Sequence, residues 1–442
     1  MTSRYFEKAL VAVHQSVPGQ VSHAIIGVTP EYGSGLLTIS TLTNRIARIS
    51  RELKLFIVAS FVMGIALSLY DSVFNNYLNA RFTLSGFQRS FLEFPRELPG
   101  FLVIFVSALL WFLCSRRLGV ISLLMGALGA LLIGFASSSY SVMVVWLFIY
   151  SLGQHLFMPI AATIGMELAR EGQAGQRLGQ LNAIRNIAAI IGSALVFVGF
   201  KFLGMTFRYT FALASVGLTI AAVLMFFMKK GETKPPAQYL KMRREYRLYY
   251  LLAVLYGSRK QLFITFAPWV LITVFNQPTQ TIATLMTMGG IIGILFQPFL
   301  GWAIDHFGER SILASEAVLL VFVCFGYGFS KSLFPQGAAF LITCACYLLD
   351  QMLMSVSMAR STYMKKIALD PMDIQPALTV SVTIDHIFSI SIALLGGLVW
   401  NLFGFQYVFL MGVFIAILNF FAVLRIRLPE QALTPGLETQ PG

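Results

Sequence analysis

The feature that most constrains this chain is a series of apolar segments, each long enough to cross a bilayer. A helix rises about 1.5 Å per residue, so about 20 residues span roughly 30 Å of hydrocarbon. The sequence therefore predicts an all-α membrane protein with twelve transmembrane helices. These spans 1 to 12 cover residues 55–78, 87–113, 119–137, 142–168, 178–203, 209–228, 249–275, 281–304, 311–329, 338–363, 377–402 and 405–425.

The composition excludes a soluble protein and gives no support to an enzyme. Of the 442 residues, 57% are hydrophobic and 12% charged, against about 25% charged in average globular domains. No P-loop, H-E-x-x-H or G-x-S-x-G motif occurs, which leaves ATP-driven pumping and the common hydrolase chemistries without support. The four cysteines form no C-x-x-C pair. We expect no catalytic residues, no cofactor and no metal site.

The distribution of basic residues predicts the orientation. Twenty-two Lys and Arg fall in the segments on one side of the predicted spans, and four fall on the other. Because cytoplasmic segments carry the excess of Lys and Arg, both termini are expected in the cytoplasm, together with a basic linker over 229–248 that contains Pro235 and Pro236. We expect the protein in a bacterial cytoplasmic (inner) membrane.

An internal repeat divides the spans six plus six. Leu69-Tyr70-Asp71-Ser72 in span 1 matches Leu255-Tyr256-Gly257-Ser258 in span 7. Both halves run in the same direction, which predicts two parallel six-helix repeats related by an axis along the membrane normal. The predicted domains are a cytoplasmic arm (1–54), two six-helix bundles (55–228 and 249–425) separated by the linker, and a cytoplasmic tail (426–442).

The turn after span 8 carries a specific motif. Gly301, Asp305, Gly308 and Arg310 form a G-x-x-x-D-x-x-G-x-R pattern, which resembles the loop signature of the major facilitator superfamily (MFS). The resemblance covers about residues 50–428. It implies the MFS fold of a secondary transporter, with these four residues as a gating latch on the cytoplasmic side. The equivalent turn of the first half departs from the pattern, since Arg116 stands where the Asp is expected.

Ionisable residues within the predicted spans are the candidates for a binding site. A charge at a helix centre costs about 2.5–3.5 kcal/mol on insertion scales, so such residues should face a cavity or a partner. Two of the basic ones, Arg89 and Arg360, lie near helix ends, where snorkelling to the interface is the favoured interpretation. The six basic residues of this kind are Arg89, Arg96, Arg185, Arg259, Lys260 and Arg360.

In the second half, Arg259 and Lys260 are predicted to contact the substrate. They are adjacent and point about 100° apart, and we expect one of them to pair with Asp350 or Asp385, which lie at a similar depth. The alternative is a set of buried salt bridges that fix helix register.

Asp385 is the preferred proton carrier, because the polar stripe of Ser381, Asp385 and Ser389 and the neighbouring His386 would give the proton a path to water. Asp350, flanked mainly by Leu and Met, is a second candidate, for which a fixed ion-pair partner is the favoured interpretation.

The first half contributes a second cluster of predicted substrate-binding residues. Asp71 and Asn75 lie one turn apart in span 1, and Glu93 and Arg96 share a face of span 2. A solvated helix end is the alternative interpretation of this cluster. Arg185 in span 5 is a further substrate-binding candidate. His155 in span 4 is either a hydrogen-bonded packing residue or a proton carrier.

Together these features predict a secondary active transporter. It would move a small organic solute, anionic or zwitterionic, by alternating access with proton coupling, as a symporter or antiporter. The alternatives are a lipid translocase of the same fold and a membrane receptor or scaffold without transport activity. The expected partners are the small-molecule substrate, protons and the lipid bilayer, with no nucleic acid, and we expect a monomer.

Overall fold

The computed structural model describes residues 50–110, 112–170, 174–231, 242–370 and 373–427. Most of the predicted arm, the middle of the linker and nearly all of the tail lie outside the described residues. The helices are α1 (Arg51–Phe82), α2 (Gly86–Phe91), α3 (Glu93–Leu109), α4 (Ser115–Phe135), α5 (Tyr140–Glu167), α6 (Ala174–Phe202), α7 (Phe207–Phe226), α8 (Arg247–Thr273), α9 (Thr279–Leu333), α10 (Gln336–Met354), α11 (Ser357–Ile367), α12 (Ile374–Phe403) and α13 (Phe405–Leu424).

The described helices follow the predicted spans and confirm an all-α membrane fold. Nine helical stretches in the described part are long and apolar enough to cross a membrane. One of them, α9, covers two predicted spans. The helices α3 and α8 are not among the nine: α3 has 17 residues, and Arg259 and Lys260 in the middle of α8 lower its mean hydropathy. The count of twelve membrane crossings stays a prediction.

The second predicted span is divided into two helices. Ser85 caps α2 with a capping box to Gln88, as its sequence pattern indicates. The helix then ends at Phe91, and α3 begins at Glu93. Pro95 explains this break, because it has no N–H to donate to the carbonyl of Phe91 and its ring clashes with that carbonyl. The prediction of one continuous span over 87–113 was wrong at this point.

The eighth and ninth predicted spans form one kinked helix. The backbone of α9 leaves helical geometry only at Gly308, which has φ 76° and ψ 161°. The turn predicted between residues 304 and 311 is therefore much tighter than expected. The direction of the turn depends on backbone angles that almost only glycine adopts.

The buried apolar side chains form two clusters. One draws nearly all its members from residues 56–228, and the other draws its members from residues 246–426. We call residues 50–228 the N-half and residues 244–427 the C-half. The helices α6 and α9 pack against each other across the two halves, as do α12 and the pair α2 and α3. The domain boundaries themselves stay a prediction.

Polar contacts join the two halves at one end of the helical bundle. We call the end with Gly308 and Arg243 the linker side and the opposite end the far side. At the far side, Asn76 donates to the carbonyl of Gln277 at 3.2 Å. Ser193 and Thr287 place their hydroxyl oxygens 2.8 Å apart. These contacts close a seam between the halves, which we call the far-side seam.

Replacement of Gly308 by alanine should destabilise the protein, because a side chain is strained at φ 76°. We expect a loss of about 1–3 kcal/mol, seen as a lower thermal midpoint of the purified protein. Gly301 is the matched control: it lies in the same helix with open space where a Cβ would be placed. Equal midpoints for Gly308→Ala and Gly301→Ala would contradict the strained turn.

Candidate functional site

A cavity of about 370 Å³ lies between the two halves. That volume is within the range of small-molecule sites. Its walls combine aromatic, aliphatic and polar side chains, and the polar groups come mainly from α1, α3 and α5. The aromatic lining residues are Tyr70, Phe74, Tyr150, Phe263 and Tyr347, and the polar ones include Asp71, Asn75, Arg96, Glu97, Gln154, His155, Asp350 and Gln351.

A buried ion pair supports the cavity on the N-half side. The Arg89 guanidinium donates to the Glu93 carboxylate at 2.7 Å and to the Asn75 side-chain oxygen at 2.9 Å. Gln261 of α8 donates to the other Glu93 oxygen at 2.8 Å, so this network reaches across to the C-half. Arg89 and Glu93 are fully buried. The expectation that Arg89 snorkels was wrong, because the side chain turns inward to a carboxylate one turn away.

Arg96 and Asp71 present opposite charges to the cavity. The Nε of Arg96 lies 3.4 Å from Glu93 and 3.7 Å from Glu97, while 28% of the side chain stays exposed. Asp71 is exposed and lines the same cavity. Among the described residues, Asp71 has no hydrogen-bond or ion-pair partner within bonding distance. The cavity therefore offers a guanidinium and an unpaired carboxylate together.

In the C-half, Arg259 is part of a buried network of four charges. Its guanidinium contacts Asp350 at 3.1 Å and Glu316 at 3.2 Å. Arg360 contacts Glu316 at 3.4 Å and lies 3.5 Å from the ring centre of Tyr256. The expectation that Arg360 snorkels was also wrong, since it is only 6% exposed. Asp350 lines the cavity, and Arg259 is held behind it.

Lys260 points away from Arg259 and forms a separate pair with Asp385 of α12. Both side chains are partly exposed. The hydroxyl of Ser389 lies 3.5 Å from the Asp385 carboxylate, so part of the predicted polar stripe on α12 does surround this acid. The two neighbouring bases thus have two different acids as partners.

Arg185 does not join this central group. It pairs with Asn182 one turn before it and lines a second cavity of about 230 Å³ on the linker side, between α1, α5 and α6. This cavity lies entirely within the N-half. Arg185 and the central cavity are therefore separate features of this conformation.

The two predicted histidines meet across the halves. His386 of α12 places its Nδ1 2.7 Å from a carboxylate oxygen of Glu97 on α3. The ring centres of His155 and His386 are 5.2 Å apart. Both were predicted separately as candidates for proton coupling. Their proximity was not foreseen, because residues on three different helices share no spacing in the sequence.

The loop motif is exposed in this conformation. Asp305 and Arg310 are exposed, and Gly308 forms the turn. The buried acid of this loop is Glu309, which lies 2.8 Å from Lys366. On the equivalent turn of the N-half, Arg116 contacts Glu167 at 3.1 Å. A gating role for Gly301, Asp305, Gly308 and Arg310 stays a prediction.

Two polar partners were missed at the sequence level. Glu316 lies in the ninth predicted span, and Gln261 lies in the seventh. The charge of Glu316 within an apolar segment was a usable signal, because buried acids need partners as much as buried bases do. Gln261 carries no charge, and only the structure shows its link to Glu93.

The comparisons with known proteins agree with this architecture. The sequence profile of the Major Facilitator Superfamily matches residues 56–370. The chain belongs to this family of membrane transport proteins. A search of the curated proteins found no match.

Solved structures of similar fold are transporters. A crystal structure of the nucleoside transporter NupG aligns with a TM-score of 0.66 at 13% identity, covering 86% of this chain and 100% of that one. A D-xylose-proton symporter aligns at 0.62 and 15% identity, over 85% and 97%. A POT family transporter in complex with a thioalcohol-conjugated peptide aligns at 0.66 and 11% identity, over 85% and 95%. At these identities the likeness concerns the fold alone.

Proposed function

We propose that this protein is a secondary active transporter that moves a small organic solute, zwitterionic or anionic, across the membrane by alternating access. The observation that carries the proposal is the cavity between the halves, to which Arg96 and Asp71 present opposite charges. Membership of the Major Facilitator Superfamily supports transport as the activity. The site, the coupling and the orientation in a bacterial cytoplasmic membrane, with both termini inside, are parts of the proposal.

The lining of the cavity supports a solute with both polar and flat apolar parts. Arg96 can receive a carboxylate or phosphate through its two unengaged nitrogens, since a guanidinium presents a planar fork. Asp71 can receive an ammonium or a hydroxyl group. The rings of Tyr70 in the N-half and of Phe263 and Tyr347 in the C-half supply apolar surface from both halves. A volume of about 370 Å³ suits a small organic molecule and is too small to enclose a whole lipid with its acyl chains.

The seam between the halves supports alternating access. The far side is closed by hydrogen bonds that join α1 to the connection between α8 and α9, and α6 to α9. Rocking of residues 55–228 against residues 249–425 would open this seam and close the linker side. In that movement Arg259 would stay with Asp350 and Glu316, because all three belong to the C-half. Its contribution would be to hold Asp350 at the cavity wall.

Replacement of Arg96 by lysine should weaken solute binding while leaving the fold intact. Loss of the planar fork removes a charge-assisted hydrogen bond worth about 1.5–3 kcal/mol, or about tenfold to a hundredfold in Kd. Binding is measured as solute-induced thermal stabilisation across a metabolite panel. The matched control is Arg81→Lys, an exposed residue at the far end of α1. Equal binding by both variants would contradict the site.

For proton coupling, the favoured carrier is Asp385 paired with Lys260. A carboxylate in a low-dielectric region is stable as an anion only beside a counterion. If Lys260 turns toward a bound solute, Asp385 loses that counterion and takes up a proton. Solute binding and protonation are then linked through one ion pair. Both side chains are partly exposed, which gives the proton a route to water.

Asp385→Asn should separate exchange from accumulation in reconstituted vesicles. Counterflow of the solute needs no net proton movement and should persist. Accumulation driven by a pH gradient should disappear, because asparagine cannot carry the proton. Glu245→Gln, at an exposed acid before α8, is the control and should accumulate solute normally. Accumulation by Asp385→Asn at the unmodified rate would overturn the assignment.

A further inference from the structure

Three potential metal ligands converge between the two halves. Glu97, His155 and His386 each place a ligand atom so that all three atoms lie within 4.8 Å of one another. They come from α3, α5 and α12. Two imidazoles with one carboxylate form a donor set that zinc commonly uses with a fourth, open position.

The orientation of His155 independently favours metal binding. Its Nδ1 lies 2.9 Å from the backbone carbonyl of Ser151. A proton on that nitrogen donates to the carbonyl and leaves the lone pair of Nε2 free. Ligating histidines usually donate their second nitrogen in this way, which fixes the ring and its tautomer. The histidine is thus already arranged as a neutral ligand.

The space for the two rings depends on Gly100 of α3. A Cβ at this position would fall 2.7 Å from Cε1 of His386 and 2.8 Å from Cδ2 of His155. A methyl group there would meet both rings. The absence of a side chain at residue 100 therefore permits the approach of the two histidines to Glu97.

We propose that Glu97, His155 and His386 bind one divalent transition-metal ion of the zinc class. Bonds of about 2.0–2.2 Å in a tetrahedral arrangement place ligand atoms roughly 3.4 Å apart. The three ligand atoms, now within 4.8 Å of one another, would come closer by rotation of their side chains. The ion would replace the hydrogen bond between His386 and Glu97. Glu97 and His155 line the central cavity, so the fourth position is available to water or to a solute carboxylate.

The proposed ion would join the halves. Glu97 and His155 belong to the N-half, and His386 belongs to the C-half. An ion bound to all three stabilises the conformation in which the far-side seam is closed. Arg96 opposes binding, because its Nε lies 3.7 Å from the other Glu97 oxygen. The three ligands would bind the ion whether or not the protein transports a solute.

The test is titration of the purified full-length protein with Zn²⁺, and with Co²⁺ as a spectroscopic substitute. We expect one ion per chain, a thermal midpoint that rises with Zn²⁺ concentration, and the visible absorption of Co²⁺ in a low-symmetry site with nitrogen ligands. His386→Gln and His155→Gln should each weaken binding by about tenfold or more. His306→Gln is the matched control, since His306 is exposed just before the turn in α9, and it should bind like the unmodified protein.

A second variant keeps every ligand and changes only the space between them. Gly100→Ala should weaken Zn²⁺ binding although Glu97, His155 and His386 are unchanged, while its fold is checked by the midpoint without metal. His14 and His23 remain in all variants, so an ion bound in the N-terminal arm would give the same isotherm throughout. An isotherm unaltered by His386→Gln, or the absence of Zn²⁺ binding to the unmodified protein, would overturn the proposal.

Discussion

The structure depends on the cost of placing charge in a region that water does not solvate. An unpaired ion there is too costly to persist, so each buried charged group must find a partner within reach. Arg89 with Glu93, and Arg259 with Asp350 and Glu316, satisfy this requirement. Because the partners of Arg259 come from α9 and α10, its charge also fixes how three helices pack. A buried ion pair need not add much stability to hold the helices in this arrangement. Separating it leaves both charges buried without a partner, and that cost keeps the helices together.

The pairs divide into those within one half and those across the halves. The network of Arg259, Glu316 and Arg360 lies inside the C-half and can move with it as a unit. Glu93 with Gln261, and Glu97 with His386, cross the boundary and must separate if the halves rock. The groups that cross also border the central cavity. Binding of a solute or a cation there can therefore change the energy of separating the halves.

The sequence predicted most of the fold and part of the site, for different physical reasons. The lengths of the apolar segments located the helices. The matching profile shows the family to which the chain belongs. The depth of Arg259 and Lys260 in their predicted membrane span indicated that Asp350 and Asp385 lie at a similar level. These two acids are the partners observed. Arg360 was misjudged because its partner, Glu316, lies on a helix whose rotation the sequence does not specify. The meeting of Glu97 with His386 depends on how the halves dock, which has no local signature.

Rocking of the two halves about the cavity is tested most directly by cross-linking the far-side seam. Ser193→Cys and Thr287→Cys place thiols where two hydroxyls now lie 2.8 Å apart, in a chain whose four native cysteines have been replaced. If the halves rock, oxidation should stop solute transport in vesicles and a reductant should restore it, while each single-cysteine chain is unaffected. Transport by the fully cross-linked protein at the same rate as by the protein with free thiols would show that the seam does not open.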